Sequence, residues 1–216
     1  MHVSATPTAP LASGTISDYL EQLASSASAP GGGSVAALTA AQSAALLGMV
    51  VRLTVGKPRF AQHETELRAI LVEADQLRAG CTAAIDHDAS ALRALIAAYK
   101  LPRRTAEEQE TRGRALQARL HDATEAPLSV LRAAVALLPL CQRLLPIGNP
   151  TTVSDIGVAA SCAGAAYRSA ELNVLINLGQ LADAAYVAAV RQELAALGER
   201  LEATVDEVLR QVRERL

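Results

Sequence analysis

Tryptophan is absent from the 216-residue chain, phenylalanine occurs once and tyrosine four times. Strands prefer aromatic and β-branched residues, and no alternating apolar–polar run of strand length occurs, so a β-rich fold is excluded. Cysteine is scarce too. Cys81, Cys141 and Cys162 are far apart, odd in number and free of any CxxC pairing, which excludes a disulfide framework and a thiolate zinc site. They read as buried small hydrophobes in a reducing compartment. No excess of one charge exists: 20 basic residues stand against 22 acidic ones, with a pI near 6.1, which argues against a nucleic-acid partner and against an anionic membrane. Walker and Rossmann glycine patterns are missing, as are zinc-ligand spacing and a Ser-His-Asp order, so no metal and no cofactor is expected. Met1 to Gly14 carry no Lys or Arg and no long apolar run. No secretory signal is expected there; the segment reads as a flexible tail, and the location as cytoplasmic.

What is abundant is alanine, with 45 residues, and leucine, with 31. These are strong helix formers, and half of the chain is hydrophobic, enough for one domain with its own core. Thr15 with Asp18 forms a capping-box start for a short helix bearing Ile16, Tyr19, Leu20, Leu23 and Ala24 on one face. Pro30-Gly31-Gly32-Gly33 interrupts it, and Ser34 is the natural N-cap of an uncharged helix to about Val55. That helix is long enough to resemble a membrane span, but its Ala, Ser, Thr and Gln content reads as a closely packed buried helix. A long helix from about Phe60 to Tyr99 places Leu67, Ile70, Ala74, Leu77, Cys81, Ile85, Asp88, Leu92, Leu95 and Tyr99 in one stripe. Thr105 with Glu108 caps a helix to about His121, and Pro127 opens another to about Leu145. Two more follow, from Thr152 to Leu178 and from Ala182 onward. The expected fold is all-α, an antiparallel bundle of six to seven helices spanning 15–216, dimerising through small-residue helix faces.

Asp88 is the single acidic member of its apolar stripe. A carboxylate in such a place is costly unless hydrogen-bonded, and burial raises its pKa toward the range useful for proton transfer. A structural Asp paired with Arg or a helix end is the competing reading. Asp86 points about 200° away, at 100° per residue, and His87 faces solvent. On the helix from Thr152, Asp155, Cys162, Ser169, Asn173 and Asn177 make one unusually polar side. Two Asn one turn apart suit a heterocycle with several ring nitrogens, and equally suit interhelix hydrogen bonds. Asp155 is also favourable simply as a first-turn acid. Gly31-Gly32-Gly33-Ser34 presents backbone N–H groups at a helix start. Lys57, Arg59, Arg103 and Arg104 are loop cations able to attract an anionic tail.

Together, Ala29-Pro30-Gly31-Gly32-Gly33-Ser34-Val35, Asp86-His87-Asp88-Ala89, Leu101-Pro102 with Thr105-Ala106-Glu107-Glu108, and Gly148-Asn149 through Ser154-Asp155 to Asn173-Val174-Leu175-Ile176-Asn177 resemble the cyclodeaminase/cyclohydrolase family. This family comprises the C-terminal domain of formiminotransferase-cyclodeaminase and stand-alone methenyltetrahydrofolate cyclohydrolases. The resemblance runs from about Ser17 to the C-terminus and implies an all-helical homodimer acting on one-carbon tetrahydrofolate derivatives without a metal. It implies an acid/base role for Asp86 or Asp88. It implies substrate-binding roles for Gly31, Gly32, Gly33, Ser34, Ser154, Asp155, Asn173 and Asn177. Lys57 and Arg103 are added to these as cations for the substrate. Two departures are Ser90 and Leu92, where acidic and aromatic residues are common, and Arg103-Arg104 in place of Lys-Asn. The expected activity is hydrolysis of 5,10-methenyltetrahydrofolate to 10-formyltetrahydrofolate. The alternatives are ammonia-releasing cyclodeamination of 5-formiminotetrahydrofolate, or a folate-binding helical dimer without turnover.

Overall fold

The computed structural model describes residues 10–216. Six α-helices, and no strand among the described residues, follow one another: α1 (Ile16–Leu23), α2 (Gly32–Arg52), α3 (Glu64–Tyr99), α4 (Ala106–Leu144), α5 (Val153–Leu178) and α6 (Ala184–Arg213). Three 3-10 turns, Leu11–Ser13, Pro58–His63 and Pro150–Thr152, join or precede them.

The capping boxes form as the sequence suggests. Thr15 Oγ1 accepts from the Asp18 amide at 3.0 Å while Asp18 accepts from the Thr15 amide at 3.2 Å. Thr105 and Glu108 repeat the arrangement at 3.1 and 3.2 Å. Each pair satisfies two main-chain donors that a helix start otherwise leaves open.

The helices α2, α3, α4 and α5 form the bundle, with α6 laid against α5 and α4. α2 is central. It buries Ala36, Ala37, Ala40, Ala44, Leu47, Val50 and Val51, and the membrane-like composition of this segment is spent inside the protein. Small residues let α5 approach it closely: Ala159, Ala160, Ala163, Ala166 and Ala170 are buried, and Ser43 Oγ donates to the Ala159 carbonyl at 2.7 Å. A methyl added to Gly157 would lie 3.1 Å from Val212, so α6 depends on a bare backbone there.

Three boundaries differ from the sequence reading. Residues 106–144 form one helix, not two, although Pro127 and Pro139 lie inside it. Proline at position 127 removes the N–H that would bond Ala123 O, and Asn177 Nδ2 from α5 donates to that carbonyl at 2.8 Å. The neighbouring helix thus supplies the missing donor, and α4 continues. Second, Gly31, not Ser34, is the N-cap of α2, which leaves the Ser34 hydroxyl free for another partner. Third, a 3-10 turn at Leu11–Ser13 precedes residue 15. Leu11–Ser13 packs on α3, so Pro10–Gly14 belong with the helical body; residues 1–9 of the expected tail lie outside the described residues.

All three cysteines are unpaired. Burial pushes the thiol of Cys81 up to about 11 and that of Cys141 up to about 12, which makes both inert at neutral pH.

Candidate functional site

A cavity of about 260 Å³ opens where the start of α2 meets the second half of α3, the middle of α4 and the end of α5. Its walls are Gly31, Gly32, Gly33, Asp88, Ala91, Leu92, Leu95, Tyr99, Ala123, Pro127, Asn173, Ile176, Asn177 and Gln180. Apolar surface dominates, with a few polar groups converging on it, which is the usual composition of a small-molecule site.

Asp88 is placed there by α3 and fixed by α2. Ser34 Oγ lies 3.1 Å from Asp88 Oδ2 and 3.0 Å from the carbonyl oxygen of Ile85. A hydroxyl has one proton to donate, so it cannot serve two acceptors together. Both contacts are satisfied when Asp88 is protonated: Asp88 donates to Ser34, and Ser34 donates to Ile85 O. Burial pushes the Asp88 carboxyl above its ordinary range, opposed by the Ser34 hydroxyl and amide and by the neighbouring His87. Burial, the largest effect, favours the neutral form, while the Ser34 hydrogen bonds and His87 favour the ionised one.

Glycine at 33 is a steric requirement. A methyl at that position would sit 1.9 Å from Asp88 Oδ1. Gly32 has the same relation to α5, with its absent Cβ 3.2 Å from Asn173 Nδ2. The glycine run brings bare backbone against the Asp and the Asn at once, and its first-turn amides have no earlier helical carbonyl to bond.

Asn173 and Asn177 each spend the Nδ2 donor on main chain. Asn173 donates to Ser169 O at 2.8 Å and Asn177 to Ala123 O at 2.8 Å, which leaves the two Oδ1 atoms as acceptors. Sequence reasoning passed over the far end of the cavity, where Tyr99 donates to Gln180 Oε1 at 2.5 Å. Tyr99 stood in the α3 stripe, but Gln180 follows the end of α5 and meets it only through the fold.

Other expected site residues lie elsewhere. Asp86 is turned away and holds the N-terminal segment: Leu11 N donates to Oδ1 at 2.6 Å and Ala12 N to Oδ2 at 3.4 Å. His87 is exposed. Ser154 and Asp155 open α5 and do not line the cavity; eighteen residues of helix separate Asp155 from Asn173, roughly 27 Å at 1.5 Å per residue. Lys57, beside Pro58–His63, and Arg103, between α3 and α4, are exposed and also outside the lining. Sharing a helix face, or a motif order, did not bring these groups to one place within the chain. Among the described residues no three of His, Cys, Asp and Glu gather as a metal site.

With this geometry in hand, the likeness to known proteins is specific. The family profile described as Formiminotransferase-cyclodeaminase matches residues 15–196. The chain belongs to this family. Among the family's characterised members, methenyltetrahydrofolate cyclohydrolase of Methylorubrum extorquens is 39% identical over 198 residues, covering 88% of this chain and 95% of that protein. Formimidoyltransferase-cyclodeaminase of Sus scrofa is 37% identical over 179 residues, 83% of this chain but 33% of that longer protein. The crystal structure of formiminotetrahydrofolate cyclodeaminase from Thermotoga maritima superposes with a TM-score of 0.76 at 26% identity, covering 94% of this chain and 95% of that one. The family's helical fold is therefore the one described above.

Proposed function

We propose that this protein hydrolyses 5,10-methenyltetrahydrofolate to 10-formyltetrahydrofolate, with Asp88 as the acid/base group. The observation that carries the reading is a single carboxyl, raised toward neutrality by burial, at the wall of an otherwise uncharged cavity. The 39% identity to a cyclohydrolase supports the substrate class.

The substrate carbon lies between N5 and N10 in an amidinium that is already electrophilic. Ionised Asp88 takes a proton from water as its oxygen adds to that carbon. The protonated group then gives the proton to N5 as the carbon–N5 bond breaks; the added oxygen releases its remaining proton to solvent as the carbonyl forms, and the formyl group stays on N10. One carboxyl, its pKa shifted upward by burial, serves both steps. This route uses only side chains and backbone of the protein, and no metal or cofactor is assigned to it.

Gly31, Gly32 and Gly33 would bring the first-turn amides of α2 to the substrate, while Ser34 holds Asp88. The Oδ1 atoms of Asn173 and Asn177 suit the amino and ring N–H donors of a reduced pterin. At about 260 Å³ the cavity is smaller than the ~300–1,000 Å³ of sites for drug-sized ligands, so it takes the reacting ring system and leaves the rest of the folate at the rim. Ile176 of that rim is exposed.

One turn from it Leu172 is exposed, and toward the start of α5 and the end of α2 so are Val158, Met49 and Leu53, with the small residues Ala45, Ser161 and Ala165 along the same two helices. We place the contact of a homodimer on this face. Light scattering on wild type and on Leu172→Glu tests it, with twice the monomer mass expected for the first and loss of that mass for the second. The unpaired thiols accord with a cytoplasmic setting.

A second reading, cyclodeamination of 5-formiminotetrahydrofolate, is favoured by the likeness to the solved Thermotoga maritima structure, itself a cyclodeaminase. Ring closure with expulsion of ammonia uses the same cavity and needs the same acid. Following the loss of methenyltetrahydrofolate absorbance, with buffer hydrolysis subtracted, beside ammonia release from the formimino compound separates the two. Turnover of neither, with reduced folate still bound, would establish the binding protein instead.

A further inference from the structure

The rim of the cavity farthest along α3 from Asp88 is built by one hydrogen-bonded pair. Tyr99, the last residue of α3, and Gln180, two residues past α5, both line the cavity, and the Tyr99 hydroxyl donates to Gln180 Oε1 at 2.5 Å. A side-chain amide has one carbonyl oxygen and one NH2 group. With the oxygen held by the phenol, the NH2 group is left as the donor, and nothing among the described residues takes it.

The main chain of this pair is fixed separately. Gln180 N donates to Asn177 O at 3.0 Å. Gln117 of α4 donates through Nε2 to Gln180 O at 3.1 Å and accepts from the Ala182 amide at 2.7 Å. Arg112, also on α4, donates through Nη2 to the Tyr99 carbonyl at 3.3 Å, and its guanidinium lies 6.0 Å from the Tyr99 ring. Exposed as it is, the Gln180 side chain is aimed in advance, which lowers the ordering cost of using it to bind.

Place and charge indicate what it binds. Eleven residues of α3 separate Asp88 from Tyr99, roughly 16 Å at 1.5 Å per residue. A pterin with N5 beside Asp88 is too short to span that distance, whereas the aminobenzoylglutamate arm of a folate is long enough. Between the two ends the walls are Ala91, Leu92, Leu95, Ala123, Pro127 and Ile176, apolar surface suited to a benzoyl ring. Asp88, the carboxyl of the lining, sits at the opposite end. Lys100, Arg103, Arg104 and Arg112 lie in or beside the connection that follows Tyr99. Of the two acids in the first turn of α4, Glu107 and Glu108, the second is spent on the Arg104 and Thr105 amides at 2.6 and 3.2 Å. The charge around this rim favours an anion.

We propose that Gln180 is a substrate-specificity residue, its Nε2 donating to a carboxylate oxygen of the glutamate of the folate, and that Tyr99 is a positioning residue that holds the amide oxygen so that the NH2 group serves the substrate. The pair reads the far end of the molecule while Asp88 acts on the ring. The inference deepens the folate reading of the cavity and rests on it.

The test uses two substrates: methenyltetrahydrofolate, and methenyltetrahydropteroate, which ends at the benzoate and has no glutamate. Gln180→Leu raises KM for the first about tenfold, the loss of a hydrogen bond to a charged group, with kcat unchanged, and leaves KM for the second as in wild type. Tyr99→Phe shifts KM in the same direction by less, and adds nothing in a Gln180→Leu background. Equal KM changes on both substrates, or a fall in kcat with KM unaltered, overturn the inference and make the pair structural. Calorimetric binding of tetrahydrofolate and tetrahydropteroate reads the same difference without turnover. A wild type that binds but does not turn over methenyltetrahydrofolate defeats the hydrolase reading while Gln180 is still decided; tetrahydrofolate bound equally by wild type and Gln180→Leu, or by neither, overturns the role of Gln180.

Discussion

Gly33 and Asp88 are packed so closely that a methyl group on the glycine would lie 1.9 Å from the carboxylate Oδ1. The glycine is thus part of how Asp88 is aimed. Gly33→Ala forces Asp88 or the start of α2 to move, at about 1–3 kcal/mol for overpacking. The expected result is a lower melting temperature together with a fall in kcat larger than Gly31→Ala gives, since a methyl on Gly31 meets nothing within 4 Å. Thermal unfolding and steady-state rates on the two variants check this.

Asp88 carries a stability signature as well. Its carboxyl pKa is raised in the folded protein, so the native state holds a proton that the unfolded chain releases at lower pH. The resulting stability is present below the unfolded carboxyl pKa of 3.8 and is lost as pH rises through the folded value. Asp88→Asn cannot ionise. Its melting temperature relative to wild type should therefore climb as pH rises above 3.8; a constant difference would contradict a part-buried carboxyl whose pKa the fold raises.

Asn177 is expected to matter to the fold as well as to the cavity. Asn177→Ala leaves Ala123 O unpaired beside Pro127 and should cost about 1–3 kcal/mol. Pro127→Ala restores a main-chain donor for that carbonyl, so in this background the Asn177→Ala cost should fall by more than half. Denaturant titration of the four proteins of the cycle gives the coupling directly.

Asp86 and Asp88 should separate cleanly. Asp86→Ala frees the Leu11 amide, bound at 2.6 Å in the native protein, and its hydrogen exchange should quicken while folate turnover falls far less than in Asp88→Asn. Equal losses of rate would restore Asp86 as an acid/base candidate.

Much of this was readable in the residues. Local chemistry fixes the capping boxes at Thr15 and Thr105, and the three- and four-residue steps of the α3 stripe gave both the helix and the place of Asp88 on its core side. What escaped depends on contacts between distant segments. Pro127 signals a helix start by every local rule; the donor that lets α4 run through it comes from a residue fifty positions away. Ser34 is a good N-cap by type, yet the neighbouring glycines allow α2 to start earlier so that the hydroxyl meets Asp88. The Asp155 and Asn173 stripe shows which residues share a face, but a face twenty residues long reaches both ends of the protein. Tyr99 with Gln180 carries no sequence signal as a pair, because one ends α3 and the other follows α5.

The central claim is that Asp88 moves the proton in a folate one-carbon reaction, and the direct measurement is a side-by-side assay of wild type and Asp88→Asn. Loss of methenyltetrahydrofolate absorbance, corrected for buffer hydrolysis, would be followed with calorimetric binding of a non-reacting reduced folate to both proteins. The account predicts a fall in kcat of about 10²–10⁴-fold with binding retained. An Asp88→Asn protein that turns over at the wild-type rate would contradict it.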